Sequence, residues 1–244
     1  MTSPTAPVDT LRHEAPHPRE GNGTAPAAKT SWGVPTALIV LSLIPVLAGS
    51  LRVLEIAGGP HILPANPRTD AVPAPVVVHI IAAAVYAFLG AFQFSARLRR
   101  RPDWHRRSGR LLVGAGMLVA LSGLWMTLFY TGAPGGDLLW AVRLLVATAM
   151  AASIVLGFTA IRRRDTTAHR AWMIRAYALA VAAGTQAFTQ GIGEALFGTR
   201  DLSTALSVSS GWVINAAVAE WVIRRPSTRR ARRARNHTTL AGSQ

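Results

Sequence analysis

The chain contains no cysteine. Disulfides, thiolate metal sites, cysteine nucleophiles and c-type haem attachment are therefore excluded. Charge is scarce as well: 15% of the residues are charged, where a soluble domain of this length carries about a quarter. Lysine is nearly missing, with Lys29 the single lysine among 26 basic residues. There is no Ser-His-Asp set, no phosphate-cradling glycine loop and no metal-protease motif, so hydrolase and kinase readings have no support.

What is present is apolar length broken by blocks of arginine. Half of the 244 residues are apolar, and the formal charge is +15. A basic patch would suggest nucleic acid. Here the arginines end long apolar runs and have no aromatic interleaving, so no nucleic-acid partner is expected. That distribution is the positive-inside pattern of a membrane protein. It is clearest over residues 79–110, where an apolar run with one histidine, His79, passes into a cluster of seven arginines. The same arrangement recurs from Leu138 to Arg175.

Residues 1–31 are rich in Pro, Ala, Thr and Gly without apolar periodicity, and are expected to be a disordered tail in which His13 and His17 are solvated. Six apolar segments follow, at 34–51, 75–96, 111–130, 138–161, 171–197 and 203–223. Ala48-Gly49-Ser50 resembles a signal-peptide cleavage site, but the stretch ahead of it is too long and too weakly charged for an n-region. Pro45 is expected to kink the first helix. The residues from 224 onward form a basic, disordered tail.

Lys and Arg number seven between the second and third segments, four between the fourth and fifth, and seven in the C-terminal tail. The opposite loops hold two, none and one, and the N-terminal tail three. The expected architecture is all-α, a six-helix transmembrane bundle with both termini cytoplasmic. The expected location is the bacterial cytoplasmic (inner) membrane, multi-pass, with the lipid bilayer as partner. Anionic lipids are expected at the arginine-rich loops and tail.

An ionisable side chain in hydrocarbon costs about 2.5–3.5 kcal/mol on insertion scales, so each one needs a reason. His79, Tyr86 and Gln93 recur every seven residues, close to two turns, and share one helix face. Ala82, Ala83 and Gly90 beside them allow close packing. On the fifth helix Gln186, Gln190 and Glu194 form a second ridge, with Arg175 three turns earlier, and Asn215 lies mid-way along the sixth. By depth, His79, Arg143, Gln190 and Glu194 share the outer part of the membrane. One reading makes them a buried network around a cofactor, quinone or small polar substrate, with Glu194 and Arg143 neutralising each other. The other lets Arg143 snorkel outward and Glu194 reach the outer loop. At the cytoplasmic ends, His105-Arg106 and His169-Arg170 each follow an arginine block and an aspartate, a weak internal repeat. They either hold an anionic ligand at helix N-termini or cap turns among interfacial Trp and Arg.

His79, Gly90-x-x-Gln93-Phe94, His105-Arg106 with Gly109-Arg110, and the HRxWMIRxYAL stretch from His169 to Leu179 together resemble one family, the bacterial membrane proteins of Domain of Unknown Function 2306. The resemblance spans residues 75–223 and implies the helical fold but no reaction. It marks His79, His105, His169, Arg170 and Arg175 as motif positions. A more distant likeness is to b-type cytochrome and ferric reductase-like membrane bundles. Bis-histidine haem needs two ring nitrogens at one depth. Only His105 and His169 match in depth, which allows one haem b on the cytoplasmic side and excludes two.

Three functions follow as expectations. The first is a redox membrane protein that holds haem b or a quinone through His79, His105, His169, Arg143, Glu194, Arg170, Arg175 and Gln190, with no separate metal site. The second is a small-molecule transporter with a cavity lined by Tyr86, Gln93, Gln186 and Gln190. The third is a non-catalytic, lipid-binding scaffold.

Overall fold

A helix satisfies its own backbone hydrogen bonds, which is why apolar runs of this length fold as helices where water is excluded. The computed structural model describes residues 32–69, 72–95, 98 and 101–225. The tail at 1–31, with His13 and His17, and the tail beyond Arg225 lie outside the described residues, as do Asp70, Arg97, Arg99 and Arg100. Six long helices are present: α1 (Gly33–Ile56), α2 (Ala74–Gln93), α3 (Pro102–Phe129), α4 (Gly136–Arg162), α5 (Thr166–Phe197) and α6 (Asp201–Arg224). No strand occurs among the described residues.

Five of the six, α1, α2, α3, α4 and α6, are individually long and apolar enough to cross a membrane. The 32-residue α5 is diluted by Arg175, Gln186, Gln190 and Glu194 and is not among them. It compensates by position, because it packs against each of the other five helices. A polar helix can lie at membrane depth when its neighbours, rather than lipid, cover it. The lipid-facing surface is what such a bundle requires: Val40, Leu47, Leu145, Ile192 and Val213 are large apolar side chains left exposed.

Successive helices run antiparallel. Trp32 at the start of α1 meets Phe92 at the end of α2, ring centroids 6.4 Å apart. His169 at the start of α5 bonds Gly157 near the end of α4. The backbone N–H of Gly135, ahead of α4, bonds Asp201 at the start of α6 at 3.0 Å. The described arginines at 101, 106, 107 and 162–164 therefore share one end of the bundle, the basic end. The helices outlast the apolar segments at that end. α3 begins at Pro102, not 111, because the chain continues helical into water. Pro102 at the first helical position loses no intrahelical bond, and Asp165 caps α5 by accepting the Ala168 N–H at 2.9 Å.

The core joins α2, α3, α4 and α5 around Tyr86, Ile154, Ala176 and Tyr177. Glycines set the spacing. A Cβ at Gly90 would strike the Tyr177 ring, and one at Gly116 would strike Tyr86 and Ile154. The Tyr177 hydroxyl donates to the Ala87 carbonyl at 2.8 Å, which satisfies its one polar atom in the core. Pro45 lies inside α1. Lacking an N–H, it leaves the Leu41 carbonyl without its usual helical donor. Gly184 of α5 packs onto that carbonyl, where any Cβ would collide with the Leu41 oxygen.

Candidate functional site

At the end opposite the basic loops, the helices part around a cavity of about 460 Å³. The loop after α1 leads to its mouth. Glu55 accepts the Ile62 and Leu63 N–H groups, each at 2.6 Å, and pairs with Arg52 at 2.7 Å. Arg52 also donates to the Pro64 carbonyl at 2.7 Å. These bonds brace the segment that carries Asn66, Arg68 and Thr69 to the cavity wall. From α3, the Tyr130 hydroxyl donates to the Val72 carbonyl at 2.6 Å and closes the same side.

His79 lines this cavity from α2. Its Nδ1 lies 3.1 Å from the Val119 carbonyl and 3.0 Å from Ser122 Oγ. A carbonyl can only accept, so Nδ1 carries the proton. Ser122 Oγ in turn donates to the Leu118 carbonyl, which fixes the serine and, with it, the ring. In the neutral ring Nε2 is then a lone-pair acceptor with no hydrogen bond to a described residue. A histidine anchored through one nitrogen and bare at the other is the usual arrangement for meeting a ligand or a proton.

Arg143 lines the cavity from α4, and Arg68 lines it from the loop after α1. The expected neutralisation of Arg143 by Glu194 is not what the structure shows. Glu194 is exposed and accepts the Gln190 amide N–H at 2.8 Å. The reason is helical drift: residues four apart rotate by about 40° per step, which carries the ridge from the interior at Gln186 to the outside at Glu194. Gln186 and Gln190 do line the cavity, and Gln186 also donates to the Val208 carbonyl at 3.1 Å. Trp140 and Trp212 supply aromatic wall, while Met126, Met150 and Leu179 form apolar wall.

The remaining candidates lie at the basic end, away from this cavity. His105 and His169 occupy the same fourth position of α3 and α5, each donating its backbone N–H to the residue ahead of the helix at 3.1 Å. His169 Nδ1 meets the Gly157 carbonyl at 2.8 Å. Arg170 is exposed. Arg175 does not join the glutamine ridge; it forms a two-pronged pair with Glu220 of α6, at 2.6 and 3.1 Å, and stacks over Trp172 at 4.6 Å. Gln93 donates to Ser108 Oγ at 2.8 Å, and Ser108 donates to the Trp104 carbonyl at 2.6 Å. Tyr86 is buried in the core. Asn215 ties the last two helices, accepting from Thr185 at 2.8 Å and donating to the Ala178 carbonyl at 3.0 Å.

The sequence model of the family described as predicted membrane protein, Domain of Unknown Function 2306, matches residues 76–223. The chain belongs to that family. The family region runs from the first turn of α2 to the end of α6, and so contains His79, Arg143 and both glutamines of the cavity but neither α1 nor Arg68. No curated protein and no solved structure matches the chain. Among the described residues one histidine, His79, lines the cavity. No cluster of three or more His, Asp or Glu residues suited to a metal ion occurs among the described residues. Sequence reasoning did not single out Ser122, Glu220 or Arg68 as partners. Serine spacing gives no signal in an apolar helix, and the other two stood near helix or loop ends, where charge is ordinary.

Proposed function

We propose that this integral membrane protein binds a small amphipathic ligand of the quinone type in the cavity, with His79 exchanging a proton with one ligand oxygen. The observation that carries the reading is the anchored His79 ring, Nδ1–H on the Val119 carbonyl and Nε2 bare, on the wall of a cavity of about 460 Å³. A quinone supplies two-electron chemistry when bound; the chain's part is to orient the ring, exclude water and hold or accept the proton at Nε2. Arg143 supplies a donor to an oxygen, and the tryptophans and methionines supply an apolar bed. The size suits a ring of that class, since small-molecule pockets begin at about 300 Å³.

The arginine distribution supports a basic end that faces the cytoplasm, with the cavity opening on the opposite side of the membrane. Arg106, Arg107, Arg110 and Arg162 to Arg164 are exposed at that end and suit anionic lipid headgroups.

The test uses the full chain in nanodiscs and a short-chain quinol, whose hydroxyl can donate to Nε2, read by quenching of tryptophan fluorescence. Saturable quenching that His79→Ala weakens is the expected result. Quenching that is absent, or identical in the variant, sinks the reading. An absorption band of haem in the purified protein would replace it with the haem alternative.

A further inference from the structure

Two separate elements deliver positive charge to the cavity: α4 brings Arg143 and the braced loop brings Arg68. Asn66 steadies Arg68, its Oδ1 accepting the Nε–H at 3.0 Å. Arg143 makes no hydrogen bond or ion pair with a described residue. No carboxylate among the described residues lines the cavity. Glu55 is engaged by Arg52 and two loop amides, and Glu194 is exposed beside Gln190. At the other end of the bundle, the chain pairs its intramembrane arginine: Arg175 has Glu220. Bringing two guanidinium groups together in a half-buried cavity is unfavourable unless an anion joins them. The arginine fork matches the oxygens of an ionised acid.

Resting on the ligand-binding reading of the cavity, we infer that it takes its ligand as an anion, an acidic aromatic amphiphile whose ionised oxygen is held by Arg143 and Arg68. The ligand enters already ionised, so no proton moves on binding. The aromatic body is specified by Trp140 and Trp212 in the wall.

Two probes of nearly equal shape separate charge from shape: a hydroxynaphthoquinone, ionised at neutral pH, and a methylnaphthoquinone, neutral at every pH. Binding is read by tryptophan quenching on the full chain in nanodiscs of zwitterionic lipid, with empty nanodiscs as blank. The ionised probe is expected to bind about ten-fold tighter or more, the effect of a charge-assisted hydrogen bond. Arg143→Gln and Arg68→Gln should each erase most of that preference with helicity unchanged. Arg143→Lys, which keeps the charge if Arg143→Gln fails to fold, should retain part of it. Arg200→Gln, an arginine on the same side that does not line the cavity, should change nothing.

Equal binding of the two probes overturns the anion inference and leaves the cavity reading standing. Binding of neither overturns both. A preference that survives in Arg143→Gln and Arg68→Gln overturns the assignment to these arginines. A preference that emerges only in Asp70→Asn makes Asp70 the counter-charge, and the inference falls.

Discussion

His169 and His79 make the same kind of hydrogen bond in different surroundings. Each presents Nδ1 to a backbone carbonyl of a neighbouring helix, Gly157 in one case and Val119 in the other. Around His169 the helices have closed: a Cβ at Gly157 would meet Met173 and Trp172. Around His79 they have parted into a cavity. The arginines repeat the contrast. Arg175 is taken up by Glu220 and the Trp172 ring, whereas Arg143 shares the cavity lining with Arg68 and with no described carboxylate. A polar group at membrane depth is costly in either place. At the closed end the cost is met by an internal partner, and at the open end bonding capacity is left over. Residue type does not distinguish the two ends; unused hydrogen-bonding capacity does.

The largest expected effect is on close helix packing. Gly184→Ala places a methyl group against the Leu41 carbonyl, which is backbone and cannot turn aside. Overpacking of this kind costs about 1–3 kcal/mol and should show as a clear drop in the thermal midpoint in detergent. Gly157→Ala should cost less, because the atom it meets first, Met173 Cε, ends a flexible side chain. Gly114→Ala, with nothing within 4 Å of its Cβ, should be neutral or stabilising by about 0.5–1 kcal/mol. Equal midpoints for all three would mean that close helix approach does not hold the bundle together.

Exchanging the histidines sharpens the contrast directly. His79→Ala should weaken binding of the quinol form, whose hydroxyl donates to Nε2, about ten-fold and lower stability only slightly, since Ser122 retains its bond to Leu118. His169→Ala should do the reverse: binding unchanged, stability lower by about 1 kcal/mol as the α4–α5 hydrogen bond is lost. Paired fluorescence titrations and melts on the two variants decide it. A shared loss of binding would place His169 in the same site as His79.

Next in size is the Arg175–Glu220 pair. Both side chains are about a third exposed, 32% and 35%, so the pair is screened and contributes no more than about 1 kcal/mol. Arg175→Gln should lower the melting midpoint modestly, and added salt should shrink the difference from the parent chain. Ligand affinity should not move. A loss of affinity would join the two ends of the bundle into one functional unit.

How much of this was legible in the sequence differs from residue to residue. Helix number was legible because a backbone out of water has few other ways to satisfy itself. Helix ends at the basic side were not, since apolar content stops at 111 while helical bonding begins at Pro102. On α2, seven-residue spacing put His79, Tyr86 and Gln93 on one face, and that face turns inward. Pairings between distant elements had no local signal. Nothing in the sequence around Arg68 says that Glu55 and Arg52 brace its loop and bring it to the cavity.

The smallest expected effect concerns Glu194, which sequence depth alone placed beside Arg143. Its carboxylate holds Gln190 on the exposed side of α5. Gln190 reaches the cavity wall by itself, and an amide there can bond water or a ligand without help from Glu194. Glu194→Gln keeps shape and hydrogen-bonding reach while it removes the charge, so stability should shift by no more than about half a kcal/mol. Affinity for the ionised and the neutral naphthoquinone should stay as in the parent chain. If Glu194→Gln instead tightened the ionised probe selectively, Glu194 would be acting on the cavity as a counter-charge. The open end would then be balanced from within, as the closed end is by Glu220, and the difference between the two halves would disappear.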